Sequence, residues 1–368
     1  MGGLLYEKLV FREIVQPFLM TLVGLSILFL MARLLGYIEP LLNAGISLGE
    51  FGKLILLMLP VFLMVILPIA TLLGALLAAM RLARDNEMVA LFACGVSTAR
   101  LARPFVIFAI ACWIVSLATA TLVVPAAKTA SRSFLKEITE AVFLRGLPEK
   151  VFFSPHKGLT FYIDRTDDSG RELHGVYIRD TRLKNMPYQI LAREGHLAVK
   201  PDRSSIVLKL SHGTMTSQGS DKGVVDLLDF NSYALSLSTP VAKHGKKRGE
   251  MGLSELYRRG HETEDDPEYA LSCLVELHKR LAIPTGTLIF GVIALPLGVF
   301  LGRTGLAGGI AAGLAGFIIY YMTIIFASNM AEQGLIPPSI SLWLPNAGFG
   351  FLTFRLLRRL AEKGPVAG

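Results

Sequence analysis

The stretch Arg81–Arg103 reads RLARDNEMVALFACGVSTARLAR and holds the most specific mixture of charge and apolar spacing in the chain. Asp85 or Asn86 is placed to cap a helix, and Glu87 falls in its first turn, where the macrodipole favours a negative charge. Met88, Leu91 and Phe92 follow at i, i+3 and i+4 spacing, and Gly95 is placed to stop the helix. The pattern predicts a short helix near 84–95, introduced by Arg84 and Asp85, with one apolar face and one acid. Such a helix suits a groove on a soluble partner. It suits the membrane surface equally well, and these residues alone leave both readings open.

Arg33 stands at the far end of a long apolar run, in Met31-Ala32-Arg33-Leu34-Leu35-Gly36. A guanidinium at that depth is costly unless it meets a cavity, a partner or the headgroups. It either snorkels to the interface or binds an anion such as phosphate bidentately. Glu276 and Arg280 stand four apart before another apolar run and read as a structural pair at the interface. The chain shows no catalytic constellation. It has no GxxxxGK[ST] phosphate loop, so it is not expected to hydrolyse ATP. The glycines of Gly302–Gly309 lack the lysine of such a loop and are read as allowing close helix packing. Cys94, Cys112 and Cys273 are far apart and the histidines are scattered, so neither a metal site nor a disulfide is expected.

These residues hang on long apolar segments. The chain is 52% hydrophobic and 18% charged, with a mean hydropathy of +0.51, which excludes one ordinary soluble domain. Six runs approach the length that crosses a bilayer: 14–35, 54–80, 101–124, 281–301, 306–328 and 336–354. The first is too long for the core of a signal peptide and is read as a span. Lys8, Arg12, Arg81, Arg84, Arg100, Arg103, Arg303, Arg355, Arg358, Arg359 and Lys363 fall on one side and only Lys53 in the short loops of the other. The basic side is therefore expected to be cytoplasmic, with both termini. The net charge of +8 lies mostly in the membrane segments, because residues 125–272 carry 22 Lys and Arg against 20 Asp and Glu. That distribution points to a membrane surface and away from nucleic acid.

Between the third and fourth runs the pattern changes. Short segments rich in β-branched and aromatic residues, divided by turns such as Asp167-Asp168-Ser169-Gly170, predict eight strands: 151–153, 160–164, 175–179, 189–194, 196–199, 205–210, 213–217 and 227–237. A sandwich, a jelly roll or a solenoid-like β domain fits that spacing. Alternation places Phe161 and Ile163 on one face, with Val176, Ile178 and Ile190 expected beside them. Val207 and Leu208, being adjacent, cannot both point inward. Residues 126–145 are expected to continue the third span as a helix, and 253–259 to form a short helix in a polar linker.

Taken together, Asn86-Glu87-Met88-Val89-Ala90-Leu91-Phe92-Ala93-Cys94-Gly95-Val96-Ser97, the Glu276…Arg280…Pro284 approach to the fourth span and Ala294-Leu295-Pro296-Leu297-Gly298 resemble one family over essentially the whole chain. It is the permease family of the lipopolysaccharide-export ABC transporter, the paired F and G subunits, and the Ala-Cys-Gly-x-Ser loop is more like F. The resemblance implies an α-helical membrane protein with six transmembrane helices, three on each side of an inserted periplasmic all-β jelly roll. Residues 1–125, 126–270 and 271–368 would be the three parts. It implies a Gram-negative inner-membrane location, a homologous second permease, two copies of a cytoplasmic ATPase that binds the ATP and Mg, and periplasmic jelly-roll bridge proteins. Arg84, Asp85, Glu87, Met88, Leu91 and Phe92 would couple to the ATPase, with Glu87 at the family's acidic position. Arg33 matches a basic position facing lipid phosphates. This chain lacks a second basic residue just before Arg33, so charge would come from elsewhere, with Lys53, Lys128 and Arg132 available. Phe161, Ile163, Val176, Ile178 and Ile190 would line a path for acyl chains.

Two other classes compete. A membrane-anchored scaffold or sensor would need no docking helix like that of Arg81–Arg103. An ion-coupled transporter usually places ionisable residues at mid-membrane, and the second, third, fifth and sixth runs hold none in their interiors.

Overall fold

The computed structural model describes residues 2–43, 47–145, 149–156, 158–167, 172–181, 187–199, 206–218, 225–236, 245–262, 266–302 and 305–364. The helices are α1 (Gly2–Asn43), α2 (Leu48–Arg84), α3 (Glu87–Ala93), α4 (Thr98–Ala118), α5 (Val124–Arg145), α6 (Leu253–Glu262), α7 (Pro267–Leu301), α8 (Gly305–Glu332), α9 (Pro338–Ser341) and α10 (Leu344–Lys363). A π-helical turn, Thr119–Val123, joins α4 to α5 without a break. The third span therefore continues as a helix beyond residue 126, as expected.

Among the described residues, five helices are long and apolar enough to cross a membrane: Glu7–Ala32, Gly49–Arg84, Thr98–Leu135, Pro267–Leu301 and Gly305–Glu332. Pro60 and Pro68 in α2, and Pro284 and Pro296 in α7, lie inside continuous helices. The sixth expected run does not form one helix. It is split into α9 and α10, with Pro338 and Pro345 each in the first turn of the new segment. Proline has no N–H to continue a preceding helix but fits the first turn of a new one. Arg355, Arg358 and Arg359 then make the second half of α10 polar.

The chain divides into two compact units. One comprises Met1–Met31, Leu56–Thr129 and Lys246–Gly368; the other comprises Ala32–Ile55 and Ala130–Gly245. The returning linker 246–262 thus belongs with the helices rather than with the β insert. In the helical unit α7 is the centre: 67% of its apolar window is buried, against 6% for the first span. Its Phe290, Ile293 and Leu295 pack with Leu72 and Leu76 of α2, Phe105 of α4 and Tyr320 of α8. Close approach depends on small residues. A Cβ at Gly302 would stand 2.9 Å from the Ala83 Cβ, which supports the packing reading of that glycine-rich turn.

The other unit holds one antiparallel sheet of β1 (Phe153–His156), β2 (Leu159–Thr166), β3 (Glu172–Asp180), β4 (Tyr188–Val199), β5 (Ile206–Gln218) and β6 (Val225–Ser236), paired in chain order. The expected breaks at Gly195 and at Ser211–His212 do not occur; β4 and β5 run through them, with Gly195 paired to Leu210 and Ser211 to Glu194. A jelly roll is a double sheet with Greek-key crossings. The described strands instead form a meander.

Besides a register shift between β1 and β2, the ladder is interrupted along one line. Asp164, Gly175, Arg193, His212 and Asn231 lie opposite one another in successive strands, yet each ladder skips them while keeping its register on both sides. Gly175 and His212 take φ of +65° and +53° there. The buried side chains change parity across the row: Val176 and Ile178 give way to Leu173, and Ile190 and Ala192 to Gly195 and Leu197. A one-residue slip moves side chains to the opposite face of a flat sheet. Here β2 to β6 all skip one position at the same row with their mutual register kept, so the sheet is creased there and its apolar face stays continuous. Val176 from one panel and Leu210 from the other come within 3.2 and 3.3 Å of where a Cβ would stand at Gly195.

Candidate functional site

Two places gather the residues singled out from the sequence, one in each unit. The first is α3. After α2 ends, Asn86 turns the chain with φ 57°, and the helix restarts with Ala90 N–H donating to the Asn86 carbonyl at 3.0 Å. Neither Asp85 nor Asn86 caps it: Asn86 occupies the cap position without a side-chain hydrogen bond. The far end follows expectation. Gly95 has φ +79°, and Gly95 N–H and Val96 N–H donate to the Phe92 and Leu91 carbonyls at 2.9 and 3.0 Å, a Schellman stop.

The apolar face of α3 is largely used within its own unit. Met88 is fully buried with Leu82, Leu101 and Phe105, and Leu91 and Phe92 are half-buried against the same core. Glu87, Val89, Ala90, Ala93 and Cys94 are exposed. Glu87 makes no ion pair among the described residues, whereas Asp85 stands 3.7 Å from both Arg81 and Arg84. Arg81 also pairs with Glu13, and Arg103 stands 3.9 Å from Glu7. Sequence reading missed these bridges to the first helix, because the partners are 68 or more residues apart. They brace both sides of α3 and leave Glu87 as the acid it presents.

The second place is the sheet. One cross-strand row runs Phe161, Ile178, Ile190, Met215, Leu228. The first three are 1%, 0% and 0% exposed, Met215 is half-buried, and Leu228 is 58% exposed. Ile163 and Val176, two rows closer to the crease, are equally buried. The row is thus closed at β2–β4 and opens toward β6. Beyond the crease Leu208 is buried and Val207 half-buried, as adjacency required.

The sequence profile of the lipopolysaccharide export system permease LptF/LptG matches residues 8–359. The chain belongs to this family. It is 22% identical over 359 residues to the lipopolysaccharide export system permease protein LptF of Escherichia coli (strain K12), covering 96% of this chain and 94% of that protein. It is 24% identical over 298 residues to an uncharacterized protein of Rickettsia prowazekii (strain Madrid E), covering 79% and 81%. The family expectation is therefore borne out, and the chain is a multi-pass membrane protein of a transporter permease family.

The residues expected to meet lipid phosphate lie on α1 and α2. Arg33 lies on α1, but its side chain is outside the described set. Lys53 is exposed, with Nζ 4.3 Å from the centroid of the Phe134 ring on α5. Among the described residues no group of histidine, cysteine and carboxylate side chains is placed to hold a metal. The Glu276–Arg280 pair does more than the spacing promised. Arg280 is 1% exposed, and besides Glu276 it holds two backbone carbonyls of the returning linker. No sequence signal names those carbonyls, since every residue has one.

Proposed function

We propose that this chain is the permease subunit that extracts lipopolysaccharide from the outer leaflet of the inner membrane and passes it toward the outer membrane. The observation that carries the reading is the apolar row of the sheet, closed at Phe161 and opening at Leu228, in a chain of the LptF/LptG family. Exposing lipid methylenes to water costs about 0.8 kcal/mol each, so acyl chains crossing an aqueous space need an apolar track. Phe161, Ile163, Val176, Ile178 and Ile190 are its floor, and Met215 and Leu228 its mouth. The crease brings the two panels toward each other, which supports a jelly-roll-like closure of the insert.

ATP and Mg bind to a separate ATPase, which docks on α3 through Glu87 and the exposed residues around it. Two copies of it serve this chain and a homologous second permease. The first span and the fifth, 6% and 22% buried, are the helices with most surface left for that permease or for lipid. The Lys and Arg distribution supports cytoplasmic termini and a periplasmic insert. On this reading α9 and α10 together make the sixth crossing, Arg33 meets lipid phosphate with charge from Lys53, and the lipid passes on to a periplasmic bridge protein. β6, paired only with β5 among the described strands, is the edge suited to strand addition by such a bridge.

The test is reconstitution in vesicles containing lipopolysaccharide, with the co-purifying ATPase and second permease. ATP-dependent transfer to a soluble acceptor is expected. A chain that purifies without an ATPase and supports no transfer is a scaffold instead.

A further inference from the structure

Arg280 is the largest side chain fully enclosed among the described residues. Its Nε donates to Glu276 Oε1 at 3.0 Å, Nη1 to the Met251 carbonyl at 2.6 Å and Nη2 to the Arg248 carbonyl at 3.0 Å. Arg248 and Met251 flank the turn by which the chain, returning from β6, rejoins the helical unit at Lys246. That turn also meets two other helices. Arg248 Nη1 stands 3.8 Å from Glu332 Oε1 on α8. Lys128 Nζ on α5 lies 2.8 Å from where a Cβ would stand at Gly249. Lys128 is next to Thr129, where the chain leaves the helical unit. The departing and returning connections of the insert are therefore clasped together, and Arg280 is the buried part of the clasp.

Stability alone does not explain a guanidinium there. Replacing a buried ion pair by apolar groups of similar volume is often neutral or favourable. What arginine adds over a packed hydrocarbon is a planar fork that fixes several acceptors in one geometry. The helix that carries it also lacks a backbone hydrogen bond at this point. Pro284 has no N–H to offer the Arg280 carbonyl, so one rung of α7 is missing. Two residues on, the Ala282 carbonyl accepts from outside the helix, from Asn346 Nδ2 at 2.9 Å. Helices bend at such positions. On the N-terminal side, Cys273 of α7 packs with Met251 and Leu256 in one buried cluster, so α6, the turn and the start of α7 form a block.

We propose that Arg280 is a positioning residue that locks the returning connection of the β insert to the proline-weakened segment of α7, so that bending of α7 moves that connection during lipid export. The proposal rests on the export reading above. In it Arg280 touches neither lipid nor ATPase.

The experiment compares wild type with Arg280→Gln and Arg280→Lys in the reconstituted complex. Co-purification of the ATPase, ATP hydrolysis and lipopolysaccharide transfer are measured for each. Both variants are expected to lose transfer by about tenfold or more while assembly and hydrolysis stay within about twofold, since lysine keeps the charge but not the fork. Met251→Cys in the Arg280→Gln chain places a second thiol in the buried cluster that holds Cys273, where an oxidant-formed disulfide would tie the turn to α7. Once formed, this bridge is expected to restore transfer, and reduction to abolish it again. Undiminished transfer in Arg280→Gln overturns the proposal. So does a loss that assembly and hydrolysis share, or one that the formed bridge leaves unrepaired. Absence of transfer by the wild-type complex refutes the export reading itself.

Discussion

The Tyr320 hydroxyl donates to Asn346 Oδ1 at 2.8 Å, and Asn346 Nδ2 donates in turn to the Ala282 carbonyl. This knot joins α8, α10 and α7 in the buried centre of the helical unit. A polar contact between membrane helices contributes about 0.6 kcal/mol on average and up to about 1.7. Tyr320→Phe is expected to cost within that range, read as a lowered midpoint of thermal unfolding in detergent. Gly286→Ala should cost more, because its Cβ would overlap the Tyr320 hydroxyl. If Tyr320→Phe melts with the wild type, the knot contributes nothing measurable.

Glu87 and Met88 are neighbours with opposite fates, and their substitutions should separate. Glu87→Lys is expected to weaken ATPase binding by roughly 2–5 kcal/mol through loss of a charge contact at the interface, with the fold unchanged. Met88→Ala removes a fully buried side chain and should destabilise the chain itself by about 2–5 kcal/mol. Pull-down of the ATPase alongside a melting curve tells them apart. Full association and full export by Glu87→Lys would remove α3 as the docking site.

Arg33→Glu is expected to weaken lipid loading while assembly persists, because repulsion from phosphate replaces a bidentate contact. Arg33→Lys should be milder. Photocrosslinking of lipid from position 33 is the measurement. Equal crosslinking and export by the glutamate variant would leave Arg33 an interfacial anchor only.

The graded row of the sheet makes a paired test possible. Ile178→Asp buries a carboxylate at a site that is 0% exposed and should cost about 4 kcal/mol or more. Leu228→Asp, at 58% exposure, should change stability by only about 0.5 kcal/mol either way. Yet it places a charge at the mouth of the track and should still impair transfer. Normal transfer by a stably folded Leu228→Asp chain would exclude this end of the row as a lipid path.

Gly175→Ala is expected to destabilise the β unit by about 1–2 kcal/mol from its left-handed backbone alone. The added methyl would also stand 2.8 Å from the Asp164 Cβ. Unfolding of the variant read against the wild type measures this, and no loss would mean that the crease tolerates an ordinary backbone.

The apolar runs, the β-rich insert and the first-turn acid of α3 were legible because each is a local property. Span length, period-two alternation and a stop glycine act within some twenty residues of chain. The same locality explains the misreadings. Proline rules were available for the sixth run, but apolarity outweighed Pro338 and Pro345, and the helix is split there. Gly195 and the Ser211–His212 pair looked like strand ends, since isolated strands do stop at such residues. In the ladder Gly195 and Ser211 are paired on both sides, while His212 falls in the skipped row shared by β2 to β6.

Sequence alone therefore determined that this chain crosses a membrane repeatedly, carries an antiparallel β insert, and offers a short helix between its second and third spans. Hydrophobicity and its period are written one residue at a time. Only the tertiary structure decided that Met88 turns inward while Glu87 stays out, that the apolar row opens at Leu228, and that Arg280 grips the carbonyls of Arg248 and Met251. Those outcomes depend on which surfaces meet after folding. A backbone carbonyl has no residue identity to announce it, so its capture by a distant guanidinium is a property of packing.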